Sequence, residues 1–526
     1  MRADLYYDDL IKKIVMDTLK LTKIYSAAVV GIEAEIVEVE VDILGGLPKV
    51  VIVGLPDTAV KEAKERVQSA IKNSNAVFPP TRVAVNLAPA DVPKIGSVFD
   101  LPIAMSILVN SGQILADFSG VLFLGELALD GAVRTVSGVL PIALTARDKG
   151  FHTLVLPQEN ADEAALVAGL NIIPIKSLAE AISHMQRVRV IPSHQGKDIR
   201  SLMSGHTVGV DMKDIKGQEH AKRALEIAAS GGHNLLMTGP PGSGKTLLAK
   251  TFATILPRLS DEEVLQTTKI YSVAGVLKSG NSIVTSRPFR SPHHTASAVS
   301  LVGGGSNPRP GEISMAHRGV LFLDELPEFS KSVLESLRQP LEDGVVTISR
   351  AAGAMTFPAR FTLIAAQNPC PCGYYNDSVK NCICSPGQIL KYNKKVSGPL
   401  LDRIDLHVEV PRISYEKIST TEEAENSEEI RERVENAREI QRQRFKKSQF
   451  PIQINSEMGP NELKEFCRVD SAGQELLKAA LTSMHLSARS YYRVLKVART
   501  IADLAHLEKI KSEHIAEALQ YRPKED

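Results

Sequence analysis

The sequence predicts a multidomain α/β protein, and three observations carry that prediction. A chain of 526 residues is longer than one hydrophobic core supports, so roughly two to four folding units are expected, at about one per 150 residues. Near the N-terminus the apolar pattern switches from alternation to helical spacing. Further on, HNLLMTGPPGSGKTLLAKTFATIL reads as a buried strand, a glycine-rich loop and a helix in direct succession.

Residues 1–21 are set apart as an N-terminal extension. MRADLYYDDLIKKIVMDTLKL carries acids early and lacks an apolar stretch ending in a small-residue cleavage site, which is not a secretion-signal pattern. An α+β unit is expected over 22–187. It opens with AAVVGIEAEIVEVEVDIL (Ala27 to Leu44), alternating as strands do, then DTAVKEAKERVQSAIKNS (Asp57 to Ser74) at helical spacing. TRVAVNLAPADVPK, GVLFLGELALDG and HTLVLPQ supply further strands, with PIAMSILVNSG and VLPIALTARDKG as helices between them. VRVIPSHQGKDIRSLMSG sustains neither period and marks a linker, 188–210. A second α/β unit follows over 211–412. The charged helix EEIRERVENAREIQRQRFKK leads from near Glu428 through a helical region, 413–526.

With 62 basic and 61 acidic residues the net charge is +1, so no global attraction draws the chain to nucleic acid or membrane. No apolar run reaches the roughly 18 residues of a membrane span, and a soluble, cytoplasmic protein without structural disulfides is expected. The charge distribution is less even. Val264 to Gly311 holds no acid but contains Lys269, Lys278, Arg287, Arg290 and Arg309. Gly344 to Leu401 holds only Asp377 among Arg350, Arg360, Lys380, Lys391, Lys394 and Lys395. Such segments are either solvated loops or the lining of a polyanion path.

The chemistry concentrates in Gly239, Pro240, Pro241, Gly242, Ser243, Gly244, Lys245 and Thr246. The spacing G-x-x-x-x-G-K-T between strand and helix lets backbone N–H groups approach phosphates. Lys245 is placed to reach the β and γ phosphates of ATP, and Thr246 to ligate Mg²⁺. In HRGVLFLDELPEF an apolar run ends on Asp324 and Glu325, at the edge of a parallel sheet where ligands bind. Asp324 is assigned to Mg²⁺, and Glu325 to polarising the attacking water.

RFTLIAAQNP ends another apolar run on Asn368, and GPLLDRIDLHVEV sets Arg403 before one more. By spacing alone Asn368 also reads as a turn former, and Arg403 as a partner for Asp402 or Asp405. Four of the five cysteines, Cys370, Cys372, Cys382 and Cys384, fall within NPCPCGYYNDSVKNCICSPG. Four thiolates suit one tetrahedral Zn²⁺, although Cys-x-Cys is tighter than the usual ligand spacing and buried free thiols are the alternative. Cys467, alone in ELKEFCRV, reads as a helix-packing residue.

With these residues in place the chain resembles the AAA+ ATPases. The resemblance implies that Asn368 is the sensor 1 residue orienting the lytic water. It implies that Arg403 is an arginine finger donated to a neighbouring subunit's γ-phosphate, hence a homo-oligomeric ring, a hexamer, capped by helical lids. In HLSARSYYRVLKVARTIADL, Arg489 matches sensor 2, with Arg493 as its rival one turn later. RPFRSPHHTASAVSLVGGGSNPRPGEISMAHRGVLFLDELPEF and RQPLEDGVVTISRAAGAMTFPARFTLIAAQNPCPCG narrow the likeness to the magnesium-chelatase-like ATPases of the YifB/ComM family.

The first unit, through NLAPADVPKIGSVFDLPIAMSIL and GELALDGAVRTVSGVLPIA, resembles the Lon-protease-like fold. Against the protease pattern P-K-D-G-P-S-A-G, Val98 stands where the nucleophilic Ser belongs and Leu140 where the activating Lys belongs, with Ser97 and Lys94 nearby. A hydroxyl needs a base to attack a peptide, so a non-proteolytic relative is expected.

The family resemblance implies a DNA helicase that drives branch migration during recombination in natural transformation. LEDGVVTISRAAGAMTFPARF adds a resemblance to the pre-sensor hairpin of MCM-type helicases, with Arg350 near its tip and single-stranded or branched DNA as partner. A chelatase motor serving a porphyrin-metallating partner and a protein-remodelling ATPase are the rival classes. The Lon-like unit and the cysteine loop stand against the chelatase.

Overall fold

In the computed structural model the described residues are 23–196, 209–277, 283–305, 308–350, 353–413, 424–446, 452–483 and 487–523. The extension 1–21 lies outside them.

The alternating run near the N-terminus is two strands, β1 (Ile24–Val30) and β2 (Glu33–Leu44), paired antiparallel around Gly31 at φ +65°. β2 buries Ala34, Val37 and Val39 and exposes Glu33, Glu35 and Glu40, the period-two signature of a half-buried strand. With β3 (Lys49–Val53), β4 (Arg82–Ala88), β5 (Val121–Phe123), β6 (Thr153–Pro157) and β7 (Asn171–Ile175) they form a seven-stranded mixed sheet ordered β3-β4-β2-β1-β5-β6-β7. Helix α1 (Thr58–Asn73) starts at Asp57, whose carboxylate accepts from the Val60 amide at 2.8 Å. Helices α2 (Asp100–Asn110) and α3 (Val139–Asp148) pack on β2. α2 is buried almost all round, as its continuous apolar sequence requires. This unit owns its core, drawn from Ile24 to Ala181.

The expected linker is not free along its first half. His194 donates its amide to the Ile172 carbonyl at 2.8 Å and pairs through its ring with Asp162 at 2.7 Å. The rest, 197–208, lies outside the described residues.

The second unit is a five-stranded parallel sheet. Its strands are β8 (Leu235–Thr238), β9 (Phe289–Arg290), β10 (Val320–Leu323), β13 (Thr362–Gln367) and β14 (Leu406–Glu409), ordered β9-β10-β13-β8-β14. Between β10 and β13 in the chain, β11 (Val345–Arg350) and β12 (Gly353–Pro358) pair antiparallel as a separate hairpin. The sheet is buried on both faces, so its strands read as continuous apolar runs. One face sends Leu235, Met237, Val320, Phe322, Ile364 and Ala366 into a core with α4 (Glu219–Gly231) and α5 (Lys245–Ile255). The other sends Leu236, Leu321, Leu323, Leu363 and Ala365 into a second core.

Helix α6 (Asp261–Ala274) joins the two units. It packs on α3, the Ser272 carbonyl accepts the Gly138 amide at 3.1 Å, and the Ser272 hydroxyl donates to buried Glu163.

The helical C-terminal region comprises α7 (Ser427–Phe445), α8 (Pro460–Phe466), α9 (Ser471–Ser483), α10 (Ala488–Leu504) and α11 (Ser512–Gln520). Val434, Val494 and Ile515 join the same core as Leu235 and Phe322, so this region is packed onto the sheet. Cys467 is a packing residue, its thiol pushed up to about 12 by burial.

Candidate active site

Because the strands run parallel, their carboxyl ends share one edge, and the chemistry-bearing residues follow three adjacent strands there. The phosphate loop Gly239–Thr246 follows β8, Asp324 and Glu325 follow β10, and Asn368 follows β13. Gly242 at φ +77° and Gly244 at φ +92° make the turn into α5 in a left-handed conformation that glycine adopts without cost. Gly239 abuts the Val410 carbonyl so closely that a Cβ there would lie 2.1 Å from its oxygen. The loop thus opens at the N-terminus of α5, where free N–H groups and the helix dipole favour phosphate.

Lys245 is buried, and its ammonium donates to the carbonyls of Gly239 at 2.7 Å and Pro240 at 3.0 Å and to Asn368 Oδ1 at 3.3 Å. Burial lowers its pKa, and Asp324 and Glu325 oppose that shift. The Thr246 hydroxyl donates to Asp324 Oδ2 at 2.9 Å. A hydroxyl and a carboxylate at that separation form an all-oxygen donor set of the kind Mg²⁺ takes alongside phosphate oxygens. Glu325 is exposed and sits at φ +53°, a left-handed backbone that costs a non-glycine residue about 1–3 kcal/mol. Its carboxylate lies 3.5 Å from His294 Nδ1. Sequence reasoning assigned His294 no role, although the HisHis pair inside the acid-poor segment marked it.

Arg403 and Arg489 lie elsewhere. The expected partners Asp402 and Asp405 do not hold Arg403: its guanidinium pairs with Glu342 and donates to the Pro399 carbonyl at 2.7 Å. Asp405 pairs with His233 at 3.1 Å and Asp402 with Arg493 at 3.5 Å. Arg489 reaches Glu342 at 3.4 Å and is half exposed, whereas Arg493 is buried and also donates to the Ile404 carbonyl at 3.4 Å. Glu342, Arg403, Arg489 and Arg493 line a cleft of about 800 Å³ between the sheet and the C-terminal helices that contains no phosphate-loop residue.

The four clustered cysteines come together, all ligand atoms within 4.8 Å of one another. Their loop packs against the phosphate loop through Gly373 and Pro241. In the hairpin, Arg350 pairs with Gly353 across the tip. Five of the eleven cations of the acid-poor segments pair with acids that lie outside those segments. Lys269 pairs with Glu33, Arg287 with Glu263, Arg290 with Glu312, Arg360 with Glu457 and Lys395 with Glu328.

In the first unit Val98 and Leu140 are core residues. The Ser97 hydroxyl donates to Glu126, and the buried Lys94 ammonium to the Pro89 carbonyl. Among the described residues no helix is long and apolar enough to cross a membrane.

Residues 211–418 match the family described as magnesium chelatase, subunit ChlI. Residues 39–160 match subunit ChlI of Mg-chelatase, and 424–522 the ChlI C-terminal family. The competence protein ComM of Haemophilus influenzae is 44% identical over 509 residues, spanning 96% of this chain and 98% of the relative. The protein YifB of Escherichia coli is 42% identical over 506 residues, spanning 96% and 97%. More distantly, the maternal DNA replication licensing factor mcm6 of Xenopus tropicalis is 24% identical over 220 residues, 40% of this chain and 25% of the relative. The phosphate loop, the paired acids and the parallel sheet thus stand in a sequence homologous along nearly its whole length, and the chain belongs to the YifB/ComM family of magnesium-chelatase-like AAA+ ATPases.

Proposed function

We propose that the chain is the subunit of a ring-shaped motor, a hexamer, that hydrolyses ATP to move along DNA and drive branch migration. The observation that carries the DNA reading is the β11–β12 hairpin, with Arg350 at its tip, inserted between the strand that ends on Asp324 and Glu325 and the strand that ends on Asn368. A loop tethered between a water-activating carboxylate and a γ-phosphate sensor moves when the nucleotide changes, and a cation on it engages a phosphate backbone. Lys245 and the loop amides hold the phosphates, Thr246 and Asp324 hold Mg²⁺, Glu325 takes the proton of the attacking water, and Asn368 orients it. Bound there, Mg²⁺ would supply neutralisation of phosphate charge. Arg403, in a cleft that no phosphate-loop residue lines, acts on the nucleotide of a neighbour, and Arg489 serves as sensor 2. The first unit is non-proteolytic, because Ser97 and Lys94 are engaged with Glu126 and Pro89. Unwinding of forked DNA with ATP and Mg²⁺ tests this reading, and its absence across single-stranded, forked and four-way substrates contradicts it.

One observation favours a chelatase motor instead: all three matched families carry the name of a magnesium chelatase subunit, and the match over 39–160 lies within the first unit. The first unit therefore no longer argues against that class. The cysteine loop and the competence-protein relative keep the DNA motor ahead.

A further inference from the structure

We propose that Cys370, Cys372, Cys382 and Cys384 bind one Zn²⁺, and that this metal staple holds Asn368 and the phosphate loop in register for turnover. The Sγ separations are 3.4 Å for Cys370–Cys372, 3.6 Å for Cys370–Cys382 and 3.6 Å for Cys372–Cys382. A tetrahedral ZnS₄ site with Zn–S near 2.3 Å has S···S edges of about 3.8 Å, so three sulfurs already stand close to one face of the required tetrahedron, with Cys384 Sγ within 4.8 Å of each. A disulfide, at about 2.05 Å, is a different geometry.

Backbone amides point at the same sulfurs. Cys372 N–H faces Cys384 Sγ at 3.4 Å, Tyr375 N–H faces Cys370 Sγ at 3.3 Å and Cys384 N–H faces Cys382 Sγ at 3.4 Å. Such donors stabilise thiolate charge and orient metal ligands. Packing of free thiols does not explain the cluster. Of the four cysteines Cys370 is buried and the other three are half-buried, while the loop's own apolar side chains face out, Val379 at 72% and Ile383 at 87% exposure. A loop that turns its cysteines in and its aliphatics out has no apolar core of its own, and metal bonds supply the folding energy instead.

The staple is fastened to the active site at two points. One residue separates Cys370 from Asn368, whose Oδ1 accepts from Lys245 at 3.3 Å. Gly373, at φ +85°, lies so close to the phosphate loop that a Cβ there would meet Pro241 Cδ at 2.6 Å and Cγ at 2.7 Å, with Asn368 Cγ at 3.8 Å. Farther along the loop Asp377 accepts from Arg412 Nε at 2.7 Å. The metal therefore fixes the backbone that carries one reacting-site side chain and buttresses the loop that carries the phosphates. This coupling rests on the phosphate-loop assignment above.

The test uses the full chain purified without chelators, with three readouts: zinc content, affinity for a fluorescent ATP analogue, and ATP turnover. The proposal expects about one Zn²⁺ per chain. Cys382→Ser, or stripping the wild type with a zinc chelator, releases the metal and lowers kcat at least tenfold while changing nucleotide affinity less. Gly373→Ala keeps the zinc and also lowers kcat, which separates the buttress from metal loss should Cys382→Ser fold poorly. A chain without zinc overturns the site. Zinc-free or Gly373→Ala protein that turns over at the wild-type rate overturns the coupling. Lys245→Ala with undiminished nucleotide affinity would instead refute the phosphate-loop assignment and leave the zinc measurement standing.

Discussion

Within one chain, Arg403 pairs with Glu342. That carboxylate also receives Arg489, so two cations are held on one acid, and the pair lowers the Glu342 pKa through the Arg403 contact first. Arg403→Ala is therefore expected to leave a folded chain that binds ATP but hydrolyses it about a thousandfold more slowly, the scale of losing an arginine finger. Mixing it with Glu325→Gln subunits should restore part of the rate, because a site between two such subunits can combine an intact Glu325 with an intact Arg403. Mixed rings that form and stay inactive would rule out action across the interface.

The general-base assignment is read from Glu325→Gln. The amide cannot take a proton, so turnover is expected to fall by about two to four orders of magnitude while the analogue still binds through Lys245 and the loop. Near-normal hydrolysis would remove Glu325 from that role. Lys245→Ala should weaken nucleotide binding itself.

Glu163 gives the joint between the first unit and the ATPase core a pH dependence. Its carboxyl accepts from the Leu140 amide at 2.8 Å, from Ser272 of α6 and from Asn160 at 3.4 Å. Burial raises its pKa above the ordinary carboxyl value of 4.5. Folding therefore takes up a proton where the unfolded chain would be ionised, and the associated stability is present at low pH and lost as pH rises through the folded value. Thermal unfolding at about pH 5 and about pH 8 should show a larger loss for wild type than for Glu163→Gln, whose amide oxygen still accepts and does not titrate. Equal losses in both proteins would exclude the effect.

Arg350→Ala should reduce DNA-stimulated hydrolysis and unwinding and leave DNA-free hydrolysis largely intact, since the nucleotide is held by other residues. Removing one phosphate contact flattens the salt dependence of binding by about one unit of log–log slope per site. An unchanged slope and unchanged stimulation would free Arg350 from DNA contact.

The phosphate loop, Asp324–Glu325 and Asn368 were legible because each is a local stretch, an apolar strand followed at once by its polar residues, and parallel pairing alone brings those ends together. Cys467 was legible for a similar local reason, a lone small apolar side chain at the end of a helix. Glu342 was not, since it meets Arg403 from 61 positions away and Arg489 from 147, and periodicity carries no information about such pairs. The partners of the acid-poor segments were hidden for the same reason where they come from far along the chain, Glu457 to Arg360 for example. Helical spacing announced the C-terminal helices but not that Val434, Val494 and Ile515 would share a core with the sheet. The contact of Gly373 with Pro241 depends on a left-handed backbone that a glycine permits without revealing what lies beside it.

The central claim, that ATP hydrolysis at this site is coupled to DNA, is tested most directly by the hydrolysis rate of the wild-type chain at low salt with and without forked and single-stranded DNA, beside Glu325→Gln as the blank. The account expects DNA to raise the wild-type rate several-fold, the stimulation to fall as salt rises, and Glu325→Gln to stay flat. A wild-type rate that is substantial, abolished in Glu325→Gln and indifferent to every DNA form at low salt would contradict the DNA motor while leaving the ATPase, and would hand the chain to the chelatase-type or protein-remodelling class.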